Sequence, residues 1–155
     1  MQRTSVLVVD DSVTIRAMIE NMLERDGRIE VAGVASNTED ALKMIDLYDP
    51  DVVTVDINMP GADGWQLLEQ IMLDLPRPVI MLSSLVRDGD PIIDLAKARG
   101  AAACFNKSLL VRETARFIDM IREVRARQLA PILPEALIGR VEAEPQRQRI
   151  RMGVA

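Results

Sequence analysis

The 155-residue chain contains no histidine, and that absence excludes more chemistry than any other feature of its composition. It rules out a Ser-His-Asp or Cys-His nucleophile, an imidazole-ligated zinc site and a phosphohistidine donor within the chain. Cysteine occurs once, as Cys104 inside an apolar run, where a buried, inert thiol is the plain expectation. Excess positive charge is missing too. The net charge of −5 argues against broad nucleic-acid binding, which needs a concentrated basic face. No uninterrupted apolar stretch approaches a membrane span. The opening residues MQRTSVLVVDDS turn acidic at once, unlike a secretory signal. The expectation is a soluble cytoplasmic protein with no nucleic-acid partner and no membrane insertion.

What remains is ordered. Apolar residues make up 48% of the chain, and the length suits one domain with a real core and a tail. Five short apolar segments read as strands: Ser5–Val9, Ile29–Ala35, Asp51–Asp56, Pro78–Ser83 and Ala101–Phe105. Helical periodicity falls between and after them, near Ser12–Arg25, Thr38–Tyr48, Gly64–Leu75, Pro91–Arg99 and Leu110–Gln128. In the first helix, Ile15, Met18, Ile19, Met22 and Leu23 form one apolar stripe. Asn37 or Thr38 can cap the second helix, Asp90 before Pro91 opens the fourth, and Gly100 ends it.

Strict alternation with near-continuous apolar strands implies an α/β fold, a parallel sheet covered by helices on both faces. Right-handed crossovers leave few arrangements, and the flavodoxin-like order 2-1-3-4-5 fits best. Composition changes after about residue 127, where Pro131, Pro134 and Pro145 break the pattern. We therefore expect a domain over residues 1–127 and a C-terminal extension over 128–155, partly disordered or forming a short helix near Pro134–Glu144.

That strand order concentrates chemistry at one edge. Asp10 and Asp11 close the first strand, Asp56 the third and Ser83 the fourth, and Lys107 follows the fifth. Each has a bland explanation. The aspartates suit a helix start or a turn, Ser83 a satisfied core hydroxyl, and Lys107 an exposed surface position. Together they describe one site. Three converging carboxylates repel one another unless a cation neutralises them. Mg²⁺, or Mn²⁺ in its place, suits such oxygen ligands: Asp10, Asp11, Asp56 and the backbone carbonyl of Asn58. Asp56 can then attack phosphorus as a carboxylate nucleophile. Lys107 offers a point charge to the phosphoryl oxygens, and Ser83 a hydrogen bond.

The segments LVVDDS, VDINMPGADGW, PVIMLSS and FNKS resemble, in order and spacing, the receiver domain of bacterial response regulators. The phrases DVVTVDINMPGADG and PVIMLSSLVRDGD are most similar to chemotaxis receivers, especially those preceding a methylesterase domain. The resemblance covers residues 4 to about 127. It implies that Asp56 is the phosphoacceptor, that Ser83 is the switch hydroxyl, and that Lys107 contacts the phosphoryl group. It implies metal ligation by Asp10, Asp11 and the Asn58 carbonyl, a shaping turn at Pro60 and Gly64, and a small residue at Ser84. Two positions depart from the pattern. Ser108 stands where the family usually has proline after the lysine, and Cys104 stands where it often has an aromatic, with Phe105 facing the other side of the strand.

The implied role is a single-domain phosphorelay receiver, a switch rather than a metabolic enzyme. A histidine kinase or phosphotransfer protein phosphorylates it, and a downstream protein target reads the face built by the fourth helix, fifth strand and fifth helix. It would act as a monomer or a phosphorylation-dependent dimer. Alternatives are the regulatory fragment of a chemotaxis methylesterase, since no esterase motif or histidine is present, and a non-switching receiver-like binding module. An aspartyl-nucleophile phosphatase fits less well, because that class resembles D-x-D where this chain has D-D-S.

Overall fold

In the computed structural model the described residues are 2–59 and 62–129. The strands are β1 (Thr4–Val9), β2 (Ile29–Ala35), β3 (Val52–Asp56), β4 (Val79–Ser83) and β5 (Ala103–Asn106). The helices are α1 (Val13–Glu24), α2 (Thr38–Tyr48), α3 (Gly64–Asp74), α4 (Pro91–Ala98) and α5 (Thr114–Leu129). All five strands pair in parallel in the order β2-β1-β3-β4-β5, the flavodoxin-like arrangement expected. A two-residue antiparallel ladder joins Asn58–Met59 to Ala62–Asp63 after β3. The chain divides into a unit Met1–Arg125 and a unit Ala126–Ala155. The latter is described only over the last turn of α5, so the expected extension beyond residue 129 lies outside the described residues.

The sheet buries both faces, which is why its strands lack polar alternation. On one face Leu7, Val9, Val53, Val55 and Met81 pack with Ala41 and Ile45 of α2, Leu67 and Ile71 of α3, and Ala96 of α4. On the other, Val6, Val8, Val52, Ile80 and Phe105 pack with Ile19 and Leu23 of α1 and Phe117, Ile121 and Val124 of α5. In the stripe of α1, Ile19 and Leu23 are buried, with Ile15, Met18 and Met22 packed at the margin.

Local signals act where expected. Ser12, Asn37, Asp63 and Asp90 each cap a helix through the side chain. Two boundaries move by more than one residue. The fifth strand starts at Ala103 rather than Ala101: the end of α4 takes the Ala101 N–H, and only from Ala102, whose N–H bonds Val79 O at 2.8 Å, does the chain join β4. Gly100 N–H bonds Lys97 O and Ala101 N–H bonds Ala96 O, a Schellman closure with Gly100 at φ +109°. The fifth helix starts at Thr114 rather than Leu110, preceded by a 3₁₀ turn over Lys107–Leu109. The Thr114 hydroxyl bonds back to the Leu110 carbonyl at 2.8 Å.

Candidate functional site

Sheet register assembles the site. Val9 pairs with Val55, so Asp10 and Asp56, one step further along, leave neighbouring strands side by side. Ser83 pairs with Asn106, which brings Ser83 and Lys107 to the same carboxyl edge. One carboxylate oxygen from each of Asp10, Asp11 and Asp56 lies within 4.8 Å of the others. Asp10 and Asp56 are buried and Asp11 is exposed.

Lys107 closes the cluster from above β5. Its Nζ lies 2.9 Å from Asp10 Oδ2 and 3.2 Å from Asp56 Oδ2, with the side chain only 16% exposed. The surface-lysine reading therefore fails. The ammonium thus bridges the two buried carboxylates. An all-oxygen donor set of two buried carboxylates and an exposed third fits a hard divalent cation.

Three carboxylates face one ammonium, and the electrostatics follow. Burial pushes the Asp56 carboxyl above its ordinary pKa, and the neighbouring Asp10 charge adds to the rise. The Asn58 N–H, which donates to Asp56 Oδ1 at 3.1 Å, and Lys107 offset only part of it. For Lys107, burial works to lower the pKa, but Asp10 and Asp56 outweigh it and hold the ammonium above its ordinary value.

Helix capping does not account for the aspartates, because Ser12 is the N-cap of α1. Asp10 Oδ1 instead accepts the Ser12 N–H at 2.9 Å, and the guanidinium of Arg16 donates to the Asp10 carbonyl at 2.7 Å. The buried Ser83 hydroxyl oxygen accepts the Leu85 N–H at 3.1 Å, which leaves its own proton to donate elsewhere. Ser84 and Asn58 are exposed nearby in the chain.

Gly64 opens α3 hard against the end of β3. A Cβ there would stand 2.4 Å from Asp56 O and 2.8 Å from Ile57 Cα, so only glycine lets the helix approach so closely. Pro60 lies outside the described residues. Cys104 is half-buried rather than buried, although burial still pushes its thiol up to about 11. It lines a groove with Val86, Asn106, Leu109 and Arg116. Phe105 turns to the opposite face and packs on Phe117, ring centroids 5.1 Å apart, fixed in the core.

Two contributors were not visible in the sequence pattern. Arg16 bonds a backbone carbonyl across the β1–α1 bend. Asn106 accepts the Ser108 N–H at 2.9 Å and donates to the Val86 carbonyl at 2.8 Å. Both reach main-chain atoms across loops, which no periodicity announces.

Parallel strands in this order, with clustered carboxylates, a bridging lysine and a buried serine at one edge, define a receiver-type α/β signalling module. Residues 6–121 match the response regulator receiver domain, and the chain belongs to that family. It is 39% identical over 131 residues to a protein-glutamate methylesterase/protein-glutamine glutaminase of Nitratidesulfovibrio vulgaris, covering 81% of this chain and 36% of that protein. The chain thus spans about a third of that relative's length. It superposes on the response regulator domain of Thermotoga maritima CheB with a TM-score of 0.74 at 33% identity, covering 81% of this chain and 98% of that one. R. sphaeroides CheY6, in its complex with the P1 domain of CheA3, gives a TM-score of 0.70 at 26% identity, covering 81% and 99%. No described helix is long and apolar enough to cross a membrane.

Proposed function

We propose that Asp56 accepts a phosphoryl group from a phosphohistidine on a partner protein, and that the chain is the regulatory receiver of a methylesterase-type response regulator. The observation that carries the chemistry is the Lys107 ammonium shared between Asp10 and Asp56 beside the open Asp11 carboxylate. The donor is a histidine kinase or phosphotransfer protein, with the complex of CheY6 and CheA3 P1 as a related pairing.

An Asp56 carboxylate oxygen attacks phosphorus as the phosphorus–nitrogen bond breaks. The electron pair leaves on the imidazole nitrogen, which takes up a proton, and the product is an acyl phosphate. Lys107 and the free Ser83 proton contact the new phosphoryl oxygens. Asp10, Asp11, Asp56 and the Asn58 carbonyl would hold a Mg²⁺ or Mn²⁺ ion, which would supply the charge neutralisation two meeting anions need. Gly64 and the small Ser84 leave room near the acceptor. Water then attacks phosphorus, breaking its bond to the Asp56 oxygen, and releases inorganic phosphate with Asp56 restored as the carboxylate.

Drawing the Ser83 hydroxyl toward the phosphoryl group pulls on the Leu85 N–H bonded to the same oxygen, so phosphorylation biases the β4–α4 loop and the face built by α4, β5 and α5. With Phe105 fixed in the core and Cys104 small, that bias passes through the loop rather than through a swinging ring. The methylesterase assignment, ahead of a free-standing switch, rests on the N. vulgaris relative and the CheB domain.

Intact-protein mass spectrometry after incubation with acetyl phosphate and Mg²⁺ tests the chemistry. One phosphoryl adduct is expected, lost with Asp56→Asn or a chelator. No adduct would leave a non-switching binding module. The size of the polypeptide in its source cells tests the assignment: methylesterase length supports it, and a chain of 155 residues overturns it in favour of the free-standing switch.

A further inference from the structure

We infer that Arg16 is a positioning residue for Asp10 and Asp11, an inference that rests on reading those two aspartates as cation ligands. The two residues sit in the bend between the end of β1 at Val9 and the start of α1 at Val13. Neither a strand ladder nor a helix fixes the backbone there. Three hydrogen bonds do so instead. Asp10 N–H bonds Ala35 O at 3.0 Å, and Asp10 Oδ1 accepts the Ser12 N–H at 2.9 Å. These hold the amide and the side chain of Asp10.

The third bond, from Arg16 Nη1 to Asp10 O at 2.7 Å, holds the peptide plane that leads into Asp11. It is short and charge-assisted, in the stronger class of protein hydrogen bonds. Side chains on a helix lean toward its N-terminus, so a long side chain in the first turn of α1 reaches back to this carbonyl. Among the described residues the Asp11 carboxylate has no hydrogen bond or ion pair, so its direction is set by its backbone alone. Freeing the Asp10–Asp11 peptide would therefore cost most at the one exposed ligand.

Charge and position make opposite demands, which gives the idea a sign. Arg16 is a cation beside a cation site, so by Coulomb's law its removal should tighten metal binding. If it acts by holding the peptide plane, removal should weaken binding instead.

Calorimetric titration of Mg²⁺ into the chelator-treated full chain separates the two. Arg16→Met keeps the aliphatic stem, Arg16→Lys keeps the charge, and Asp11→Asn removes a ligand. The expected result is Mg²⁺ binding weakened about tenfold in Arg16→Met, as is typical for groups that orient ligands from outside the coordination shell. Arg16→Lys should lie between that variant and the wild type, and thermal unfolding in chelator should show both variants folded. Equal or tighter binding by a folded Arg16→Met overturns the positioning role. Should that variant not fold, Arg16→Lys decides: weaker binding supports the role and unchanged binding overturns it. No Mg²⁺ binding by the wild type, or undiminished binding by Asp11→Asn, overturns the ligand reading and this inference with it.

Discussion

Asp56 is the residue where burial, charge and chemistry conflict most directly. Its carboxyl titrates above the ordinary range because burial and Asp10 outweigh the Asn58 N–H and Lys107. A group whose folded pKa lies above its unfolded value, about 3.9 for aspartate, holds its proton longer in the folded state. Its contribution to stability is fully present below the unfolded value and is lost as pH rises through the folded one. Asp56→Asn removes the titrating charge, so without divalent cation the variant should melt higher than wild type at neutral pH. The gap should close as pH falls toward about 4 and shrink when Mg²⁺ is added. Identical melting points at neutral pH in chelator would contradict this. Asp26 moves the other way: the Arg28 hydrogen bond lowers it to about 2, so its contribution disappears only as pH falls from about 4 toward 2. Scans above that range therefore isolate Asp56.

Among the elements, the loop after β5 departs most from the receiver pattern, and Asn106 explains how it manages. Ser108, in place of proline, has an N–H to satisfy, and Asn106 Oδ1 accepts it together with the Ser108 hydroxyl. The Asn106 amide also donates to Val86 O at 2.8 Å, so one side chain ties the Lys107 turn to the β4–α4 loop. Asn106→Ala should cost about 1–3 kcal/mol in denaturant unfolding, the range for leaving partly buried partners unpaired. Asn106→Asp keeps the acceptor and loses only the Val86 bond, so it should fall between. An alanine variant as stable as wild type would make the link incidental. This loop also marks where the sequence stopped being legible. Alternation, caps and the apolar stripe of α1 come from local period and chemistry, and they were readable along with the edge that gathers Asp10, Asp11, Asp56, Ser83 and Lys107. Arg16, Asn106 and the late start of β5 depend on side chain-to-backbone bonds and helix closures between segments, and a one-dimensional pattern does not encode which carbonyl a folded loop presents.

Across the Met1–Arg125 unit, the two ends of the sheet have different duties. The carboxyl edge holds three carboxylates in mutual repulsion, a cost carried by the buried faces of the sheet. The amino edge is where the strands are tied together. Asp51, just before β3, donates its N–H to the Ser5 carbonyl of β1 at 2.8 Å, and its Oδ2 accepts the Ser5 N–H at 2.8 Å. The same carboxylate pairs with Arg125 of α5, so β1, β3 and α5 meet on one half-buried side chain. Asp51→Ala deletes the Ser5 bond and leaves Arg125 unpaired, which should cost about 1–3 kcal/mol. Arg125→Met should cost less, because the Asp51 Oδ2 bond to the Ser5 N–H survives, and the double variant should show coupling between the two. Neither change reaches the carboxyl edge, so the Asp56 adduct proposed to form with acetyl phosphate should keep its yield at temperatures where the variants remain folded. Loss of stability and adduct together under those conditions would show that the two edges are mechanically joined through β1 and β3. Loss of stability alone would show that the sheet isolates its reactive edge from the clasp that holds its other end.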